Sequence, residues 1–228
     1  MTAALHDLPA PALGEALYAR YATRERIVPL VAGALTLRHP ADAEALISED
    51  DFARDERLPY WADLWPSACV LADALSARGV GRGRLLELGC GAGLVAAAAA
   101  RLGWDVTATD YYEDATHFAR WNAWVNSGRE IAVATVDWRA LPPDLGTFDA
   151  VVASDVLYER PYGPLVARAL RATLARGGVG LVADPGRVGA EGFVAACEAL
   201  GLSCGRLDRV VAEDGAVRHQ VDLWQVSR

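Results

Sequence analysis

Lysine is absent from the 228-residue sequence, so all 22 basic residues are arginine, and they stand against 30 acidic residues. The formal net charge is −8 at pH 7 and the isoelectric point lies near 5.0. Proteins that bind DNA or RNA need basic side chains that displace counterions from phosphates, so this composition predicts no nucleic-acid partner. An acidic surface can attract a basic peptide or an amine, although it also serves solubility alone.

Long apolar runs are missing as well. The longest, such as residues 94–100, are rich in alanine and far shorter than the roughly 20 residues that span a bilayer. Residues 1–11 lack the basic segment followed by an apolar segment that marks a secretory signal. We therefore expect a soluble, cytoplasmic protein without a membrane partner.

Cysteine is scarce and occurs at Cys69, Cys90, Cys197 and Cys204. No C-x-x-C pair occurs, and no histidine stands near a cysteine at the spacing of metal ligands. The thiols are therefore expected to be reduced and structural, and no metal site is predicted.

From Arg84 onward the sequence alternates short apolar runs with longer helical patterns, which is typical of βαβ units in a mainly parallel sheet. Strands are predicted at residues 85–88, 106–109, 131–136, 148–154 and 179–183, and helices at residues 94–102, 113–126, 164–174 and 190–200. Residues 207–211 and 217–226, separated by an Asp-Gly turn, predict a C-terminal antiparallel hairpin that closes one sheet edge. The pattern indicates an open α/β fold.

Residues 1–83 have a less regular pattern and form an N-terminal extension. A helix is predicted after Pro66, because proline suits the first turn of a helix. No linker, repeat or low-complexity segment separates this part, and 53% hydrophobic residues are enough for one substantial core. We predict one domain over residues 1–228, in which residues 1–83 cover the site as a cap segment and helix, and residues 84–228 form the Rossmann-like core.

Three glycines spaced two apart, Gly89, Gly91 and Gly93, join the first strand of this core to a helix within residues 87–93. Glycine adopts backbone angles that are barred to other residues, and bare backbone lets a ligand lie against the turn. Cys90 takes a small-residue position in this turn, where its thiol need do no chemistry. An adenosine or amino-acid moiety is the expected ligand, and a tight turn without a ligand is the alternative.

Asp110 ends the second strand of the core about twenty residues later, where its carboxylate can accept hydrogen bonds from both ribose hydroxyls of a nucleoside. A dinucleotide is the competing ligand, but Leu94 stands where the last glycine of G-x-G-x-x-G belongs. Glu87, two residues before Gly89, also disfavours a pyrophosphate. A carboxylate there suits the cationic amino-acid end of a donor, directly or through water.

The glycine turn followed by Asp110 resembles the first two motifs of class I S-adenosylmethionine-dependent methyltransferases. The segments PYWADLWPSA (residues 59–68), VDW (136–138) and ASDVLY (153–158) resemble methyltransferase family sixteen. That family includes seven-β-strand protein lysine methyltransferases and bacterial proteins similar to nicotinamide N-methylases. The resemblance implies a Rossmann-like, seven-stranded, mostly parallel sheet with helices on both faces. It also implies S-adenosyl-L-methionine as cofactor and S-adenosyl-L-homocysteine as product, without a metal.

The same resemblance extends the donor-binding set beyond the glycine turn, Glu87 and Asp110. It places Trp65 against the donor with Trp61 as its neighbour, although packing in the core is the alternative. Trp138 is expected to pack on adenine, with Asp137 available to the exocyclic amine. Ser154 joins the set as part of the third segment.

Asp155 and Tyr158 match the D-x-x-Y pattern that follows the fourth core strand in this family. Open α/β sheets hold ligands at this carboxyl edge, so the acceptor is expected here. Methyl transfer from a sulfonium needs a neutral amine aimed at the methyl carbon, so positioning is the main requirement. Asp155 is the candidate that holds or deprotonates the amine, and Tyr158 the one that fixes its approach. The alternative is a capping aspartate beside a packing tyrosine.

The leading hypothesis is an N-methyltransferase that acts on an accessible lysine of a protein. A first alternative keeps the same donor site but methylates a small amine or another metabolite. A second alternative is a donor-binding or partner-binding module without catalysis, against which Asp155 and Tyr158 argue. No pattern in the sequence predicts an oligomeric state.

Overall fold

Two β-sheets organise the part of the chain that the computed structural model describes, namely residues 4–47, 58–79, 81, 83–214 and 217–228. The strands are β1 (Thr23–Val28), β2 (Leu35–Pro40), β3 (Arg84–Leu88), β4 (Asp105–Asp110), β5 (Ala132–Thr135), β6 (Phe148–Ser154), β7 (Leu174–Asp184), β8 (Ser203–Asp214) and β9 (Val217–Ser227). The α-helices are α1 (Ala10–Arg20), α2 (Pro66–Ala77), α3 (Leu94–Arg101), α4 (Glu113–Ser127), α5 (Tyr162–Thr173) and α6 (Ala190–Ala199). Short 3₁₀ turns lie at Leu5–Asp7, Glu44–Leu46 and Tyr60–Ala62.

The larger sheet has the strand order β5-β4-β3-β6-β7-β9-β8. Strands β3 to β7 pair in parallel, whereas β9 is antiparallel to both of its neighbours. The order reverses between β3 and β6, which is the point where open α/β sheets form a crevice for ligands. The predicted α/β fold, with its mostly parallel seven-stranded sheet and C-terminal hairpin, is confirmed.

Helices cover both faces of this sheet. Successive side chains of a strand point to opposite faces, so Leu85 and Leu86 belong to two different cores. Leu85 packs in the core that includes Leu71 of α2, and Leu86 packs in the core that includes Val166 of α5 and Phe193 of α6. Because both faces are buried, the central strands read as continuous apolar runs.

The bounds of several elements differ from the prediction. Strand β6 coincides with predicted residues 148–154, but β7 begins at Leu174 and β8 at Ser203, both earlier than predicted. The early part of β7 contains two glycines and an arginine, which read as a turn, and its register on β6 shifts after Phe148. Gly215 of the predicted hairpin turn lies outside the described residues.

The N-terminal extension contains elements that its sequence does not predict, namely α1 and the antiparallel pair of β1 and β2. Four consecutive residues of β1 are exposed, so its sequence shows no alternation of apolar and polar side chains. Helix α1 packs on α4 through an apolar cluster that includes Leu13, Leu17 and Phe118. The predicted helix after Pro66 is confirmed as α2.

Two asparagines of α4 hold β2 in the manner of a neighbouring strand. Asn122 accepts a hydrogen bond from the N–H of Arg38 at 2.9 Å and donates one to its carbonyl oxygen at 2.8 Å. Asn126 makes the same pair of bonds with Thr36, at 2.9 and 2.8 Å. Asn122 also donates to the carbonyl oxygen of Ala92 at 2.8 Å, so the extension is tied directly to the glycine turn.

Within the described residues, no helix has the combination of length and apolar character that a bilayer span requires. The same residues contain no group of three or more His, Cys, Asp or Glu side chains placed to hold a metal ion. None of the four cysteines forms a disulfide.

Candidate active site

A cavity of about 330 Å³ opens at the carboxyl ends of β3, β4 and β6. Its lining includes most of the predicted site residues, namely Trp61, Trp65, Gly89, Gly91, Asp110, Asp137, Trp138, Ser154, Asp155 and Tyr158. Glu87, Cys90 and Gly93 lie outside the lining. The fold therefore brings residues from distant parts of the sequence to one site.

The glycine turn presents bare backbone to this cavity at Gly89 and Gly91. Their φ angles are 72° and 50°, in the left-handed region that other residues rarely adopt. A Cβ at Gly89 would lie 2.8 Å from Cγ1 of Val156, and one at Gly91 would lie 3.2 Å from the carbonyl oxygen of Trp61. Both positions therefore require glycine, for backbone angle and for space.

Asp110 fixes this turn. Its Oδ2 accepts a hydrogen bond from the N–H of Gly91 at 2.9 Å, and its Oδ1 accepts one from the N–H of Tyr112 at 3.0 Å. Asp110 also lines the cavity, where ribose hydroxyls are predicted to meet its carboxylate. Asp110 thus shapes the turn and faces the cavity at once.

Gly93 serves the packing of α3, and its predicted contact with the cofactor stays a prediction. It precedes α3 with a φ of 85°, and a Cβ there would collide with the Cα of Ala119 in α4. The close approach of α3 and α4 at this point therefore requires glycine.

Cys90 is not among the lining residues of the cavity, and its predicted place in the donor site stays a prediction. Its side chain is buried in the core that includes Leu85 and Leu94. Burial raises the pKa of the thiol well above its usual range, and the nearby Asp110 carboxylate adds to the effect. Its N–H donates to the carbonyl oxygen of Thr109 at 2.9 Å, so neither the thiol nor the amide is open to a ligand.

Glu87 is buried beneath the glycine turn, and its predicted role at the amino-acid end of the donor, directly or through water, stays a prediction. Only 1% of the residue is exposed, and its carboxyl group accepts a hydrogen bond from the N–H of Ala96 in the first turn of α3. Oε2 has no hydrogen-bond partner among the described residues. Burial raises the pKa of Glu87 well above its usual range, and the charge of Asp110 raises it further. The geometry supports a role in holding α3.

Trp138 and Asp137, which are predicted to bind the adenine, both line the cavity. The ring of Trp138 lines the cavity and meets Tyr162 edge to face at 5.9 Å, while its buried Nε1 has no partner among the described residues. The carboxylate of Asp137 is held by the guanidinium of Arg139, whose Nε lies 2.9 and 3.0 Å from its two oxygens. A ligand amine at this point would therefore share the Asp137 carboxylate with the guanidinium of Arg139.

Both predicted tryptophans of the extension line the cavity. Trp61 is 7% exposed and packs 5.7 Å from the ring of Phe118. Trp65 donates from Nε1 to the carbonyl oxygen of Tyr60 at 2.9 Å, which sets the direction of its ring. The guanidinium carbon of Arg187 lies 5.3 Å from the centre of that ring, a distance at which cation–π attraction operates.

Asp155 is the most constrained residue of the site. Its φ is 56°, which makes it the non-glycine residue with a positive φ among those described. Its Oδ1 accepts a hydrogen bond from Nε of Arg187 at 2.6 Å, and its Oδ2 accepts one from the hydroxyl of Ser67 at 3.1 Å. Its N–H donates to the carbonyl oxygen of Ala183 at 2.9 Å. A strained conformation of this kind costs about 1–3 kcal/mol and marks functional sites.

Arg187 belongs to the site although the sequence does not single it out. It lies in the turn after β7, where Oδ2 of the buried Asp184 accepts hydrogen bonds from the N–H groups of Gly186 and Arg187 at 2.8 and 3.0 Å. Burial raises the pKa of Asp184. The available signal is position, since β7 is the neighbour of β6 and its carboxyl end must lie beside Asp155.

Tyr158 and Ser154 complete the acceptor side of the cavity. The ring of Tyr158 lies 5.5 Å from that of Tyr60 and 4.7 Å from that of Tyr162. These tyrosines form an aromatic wall between the extension and α5. Of this wall, the sequence predicts a functional role for Tyr158 alone.

Comparison with known proteins identifies the family of this chain. The family model described as a methyltransferase domain matches residues 60–225. The chain belongs to this methyltransferase family. The protein-lysine N-methyltransferase rrg1 of Schizosaccharomyces pombe is 31% identical over 142 residues, which are 56% of this methyltransferase and 42% of rrg1. The protein N-lysine methyltransferase METTL21A of Xenopus tropicalis is 32% identical over 109 residues, which are 45% of this chain and 50% of that protein. The match thus spans about half the length of these curated relatives.

A solved structure shows the same methyltransferase fold. The T. thermophilus 16S rRNA N2 G1207 methyltransferase RsmC, in complex with AdoMet and guanosine, aligns with a TM-score of 0.63 at 17% identity. The alignment covers 90% of this chain and 51% of that one. At this identity the likeness concerns the fold, and it confirms the Rossmann-like methyltransferase architecture.

Proposed function

We propose that this methyltransferase moves the methyl group of S-adenosyl-L-methionine to the side-chain nitrogen of a protein lysine and releases S-adenosyl-L-homocysteine. One observation carries the proposal: the same cavity is lined by Gly91 and Asp110 on one side and by Asp155 and Tyr158 on the other. Donor-type and acceptor-type groups therefore face a common space, as a direct transfer between two bound molecules requires.

The donor half fits a nucleoside with a sulfonium side chain. Gly89 and Gly91 present bare backbone to the cavity, and the Asp110 carboxylate lines the same space, where ribose hydroxyls would meet it. The buried Nε1 of Trp138, unpartnered among the described residues, offers a donor to a ligand atom. When bound, S-adenosylmethionine supplies an electrophilic methyl group. The rings of Trp61 and Trp138 would shield that part of the cavity from water.

The acceptor half must present an amine with a free lone pair. A lone carboxylate would hold a lysine in its protonated form and oppose the transfer. Asp155 is not alone, because Nε of Arg187 lies 2.6 Å from it and offsets its charge. Asp155 can therefore position the nitrogen, with less penalty for losing the proton, while Tyr158 limits the direction of approach.

The choice of a protein acceptor draws on two supports. The relatives rrg1 and METTL21A are named as lysine methyltransferases of proteins. The net charge of −8 favours a basic partner, and a lysine-bearing segment meets that condition.

The test is incubation of the purified protein with S-adenosylmethionine labelled in its methyl group and a cell lysate, followed by a denaturing gel. The chain has no lysine, so methylation of its own lysines cannot produce a labelled band. We expect a discrete band of another protein, with methyl-lysine after acid hydrolysis. Asp155→Asn should bind the donor normally but lose the band. A band with equal intensity from Asp155→Asn would contradict the assigned acceptor half.

A second candidate acceptor is a small metabolite amine that also carries a carboxylate. The observation in its favour is Arg187, which lines the cavity and whose Nη1 and Nη2 have no hydrogen-bond partner among the described residues. A guanidinium with free N–H groups beside an acceptor site suits a carboxylate. Label that appears only in small molecules, and not on any protein, would favour this candidate.

A further inference from the structure

A second cavity, of about 520 Å³, lies between the N-terminal strand pair, helix α2 and the C-terminal hairpin. Its walls are mostly apolar. The main apolar side chains are Val28 and Ile27 from β1, Val70 and Ala74 from α2, and Val210 and Val211 from β8. We call this cavity the hairpin groove.

The rim of the hairpin groove exposes large apolar side chains to solvent. Val31 is 84% exposed, Ile27 71% and Val211 48%. Surface side chains of this kind are ordinary when they are scattered, but here they border one depression. An apolar depression with an apolar rim is typical of a surface that binds a partner.

The hairpin groove is also negatively charged. Asp73 and Asp208 line it, and neither carboxylate forms an ion pair with a cation in the described part of the chain. Glu213 lines it too and lies 3.5 Å from Arg218. Arg26 supplies a positive charge to the lining. The excess of acidic groups favours an occupant with basic residues and repels a second copy of this acidic chain.

Trp65 connects the hairpin groove to the candidate active site. It lines both cavities, with Leu64 and Pro66 beside it on the groove side. On the active-site side, the ring of Trp65 makes a cation–π contact with the guanidinium of Arg187. That guanidinium donates a hydrogen bond to Asp155. Trp65 is therefore the point at which the hairpin groove and the acceptor half of the active site adjoin.

We infer that the hairpin groove binds an extended segment of the protein acceptor, whose apolar side chains fill the groove and whose basic residues meet Asp73 and Asp208. The segment delivers its lysine past Trp65 to Asp155. This inference rests on the proposed function. A small metabolite would occupy the active-site cavity alone and would have no use for an apolar surface of this extent.

The experiment uses the full chain and the acceptor found by labelling. Ile27→Arg with Val31→Arg replaces apolar rim by positive charge, and Val125→Arg on α4 is the matched control, since Val125 is 41% exposed and lines neither cavity. The substrates are a peptide of about twenty residues around the methylated lysine and a peptide of five. We expect the rim double variant to raise KM for the long peptide about tenfold or more, with kcat and donor affinity unchanged.

A second double variant tests the negative charge of the hairpin groove. Asp73→Asn with Asp208→Asn keeps the shape of the groove and removes two carboxylates, so KM should rise several-fold and depend less on salt. The five-residue peptide should show a high KM with every variant, because it cannot reach the groove.

Different results overturn different claims. The role of the hairpin groove would be overturned if the rim double variant had the same KM as Val125→Arg. It would also be overturned if the five-residue peptide had the same KM as the long peptide. Neither result would contradict the proposed lysine methyltransferase activity. If the wild-type protein binds the donor but labels no protein, the proposed function fails and the inference fails with it. Dimerisation of the wild type in sedimentation, lost in the rim double variant, would assign the groove to a second copy instead.

Discussion

Nε of Arg187 donates to Oδ1 of Asp155 at 2.6 Å, and the same guanidinium lies over the ring of Trp65. The carboxylate is almost fully buried, with 6% of the side chain exposed, whereas the arginine side chain is 35% exposed. A buried carboxylate without a partner is costly, so this pair stabilises a conformation that the positive φ of Asp155 disfavours. The pair also sets the charge that an incoming amine meets.

Replacement of Arg187 separates its effect on the stability of the fold from its effect on the acceptor amine. Arg187→Met keeps a long apolar side chain near Trp65 but leaves Asp155 uncompensated, so the free energy of unfolding should fall by about 2 kcal/mol, less than for a fully buried pair. For a lysine acceptor, kcat should fall by roughly 100-fold without a rise in KM, because the lone carboxylate holds the amine protonated. Arg187→Lys should recover part of the rate. A raised KM in steady-state assays would instead indicate that the arginine binds a carboxylate of the acceptor.

Asp110 and Asp137 both line the cavity, but they differ in their partners. Asp110→Ala removes the acceptor of the Gly91 and Tyr112 N–H groups and the proposed ribose contact, so donor affinity should fall about 100-fold or more. Asp137→Ala should cost less than tenfold, because that carboxylate is already bound to Arg139. Calorimetric titration with S-adenosylmethionine measures the donor affinity of both variants. An equal loss of affinity in Asp110→Ala and Asp137→Ala would contradict the different roles assigned to the two carboxylates.

Gly91 and Gly93 are two residues apart, but we expect alanine substitutions at the two positions to have different effects on donor binding and stability. Alanine at Gly91 places a Cβ 3.2 Å from the carbonyl oxygen of Trp61, next to the cavity, so donor binding should weaken while the fold persists. Alanine at Gly93 collides with Ala119, so the free energy of unfolding should fall by about 3 kcal/mol. Urea unfolding and donor titration of both variants measure this. Equal stability of the two would show that α3 can move away from α4.

Much of the core could be predicted because its strands and helices carry strong local signals. The apolar run of β6 and the glycine turn after β3 can be recognised in the sequence. In a parallel sheet, the carboxyl ends of β3 and β6 then lie at the same edge. Local signals do not reveal what a side chain touches. Glu87 and Cys90 stand beside the turn in sequence, yet both point into the interior, because the turn that exposes Gly89 to the cavity directs their side chains below it.

The unpredicted parts depend on contacts between distant segments. Arg187 follows a strand that carries no motif, and only the pairing of β7 with β6 brings it to Asp155. Strand β1 shows no alternation because it pairs with β2 alone and has little to bury. Tertiary partners such as Asn122 decide the position of this pair, and a single sequence does not show them.

Glu87 predicts a measurable dependence of stability on pH. Its pKa is raised in the folded state, so folding favours the protonated form. This contribution is fully present below the ordinary pKa of glutamate, about 4.3, and is lost as the pH rises toward the folded-state pKa. The free energy of unfolding of the wild type, minus that of Glu87→Gln, should therefore fall as the pH is raised from 4 to 8. A constant difference in urea unfolding would show that Glu87 is ionised in the fold.

Asn122 and Asn126 offer a matched pair for the link between the extension and the donor site. Each holds β2 by two hydrogen bonds to one residue, so Asn122→Ala and Asn126→Ala should both lower the free energy of unfolding, by about 2–3 kcal/mol. Only Asn122 also binds the carbonyl oxygen of Ala92 in the glycine turn. Donor affinity should therefore fall several-fold in Asn122→Ala and stay within twofold of wild type in Asn126→Ala. Equal affinities in the two variants, measured by calorimetry at a temperature where both are folded, would mean that the turn keeps its shape without the extension. A difference in the expected direction would mean that the first eighty residues contribute to donor binding through a single amide.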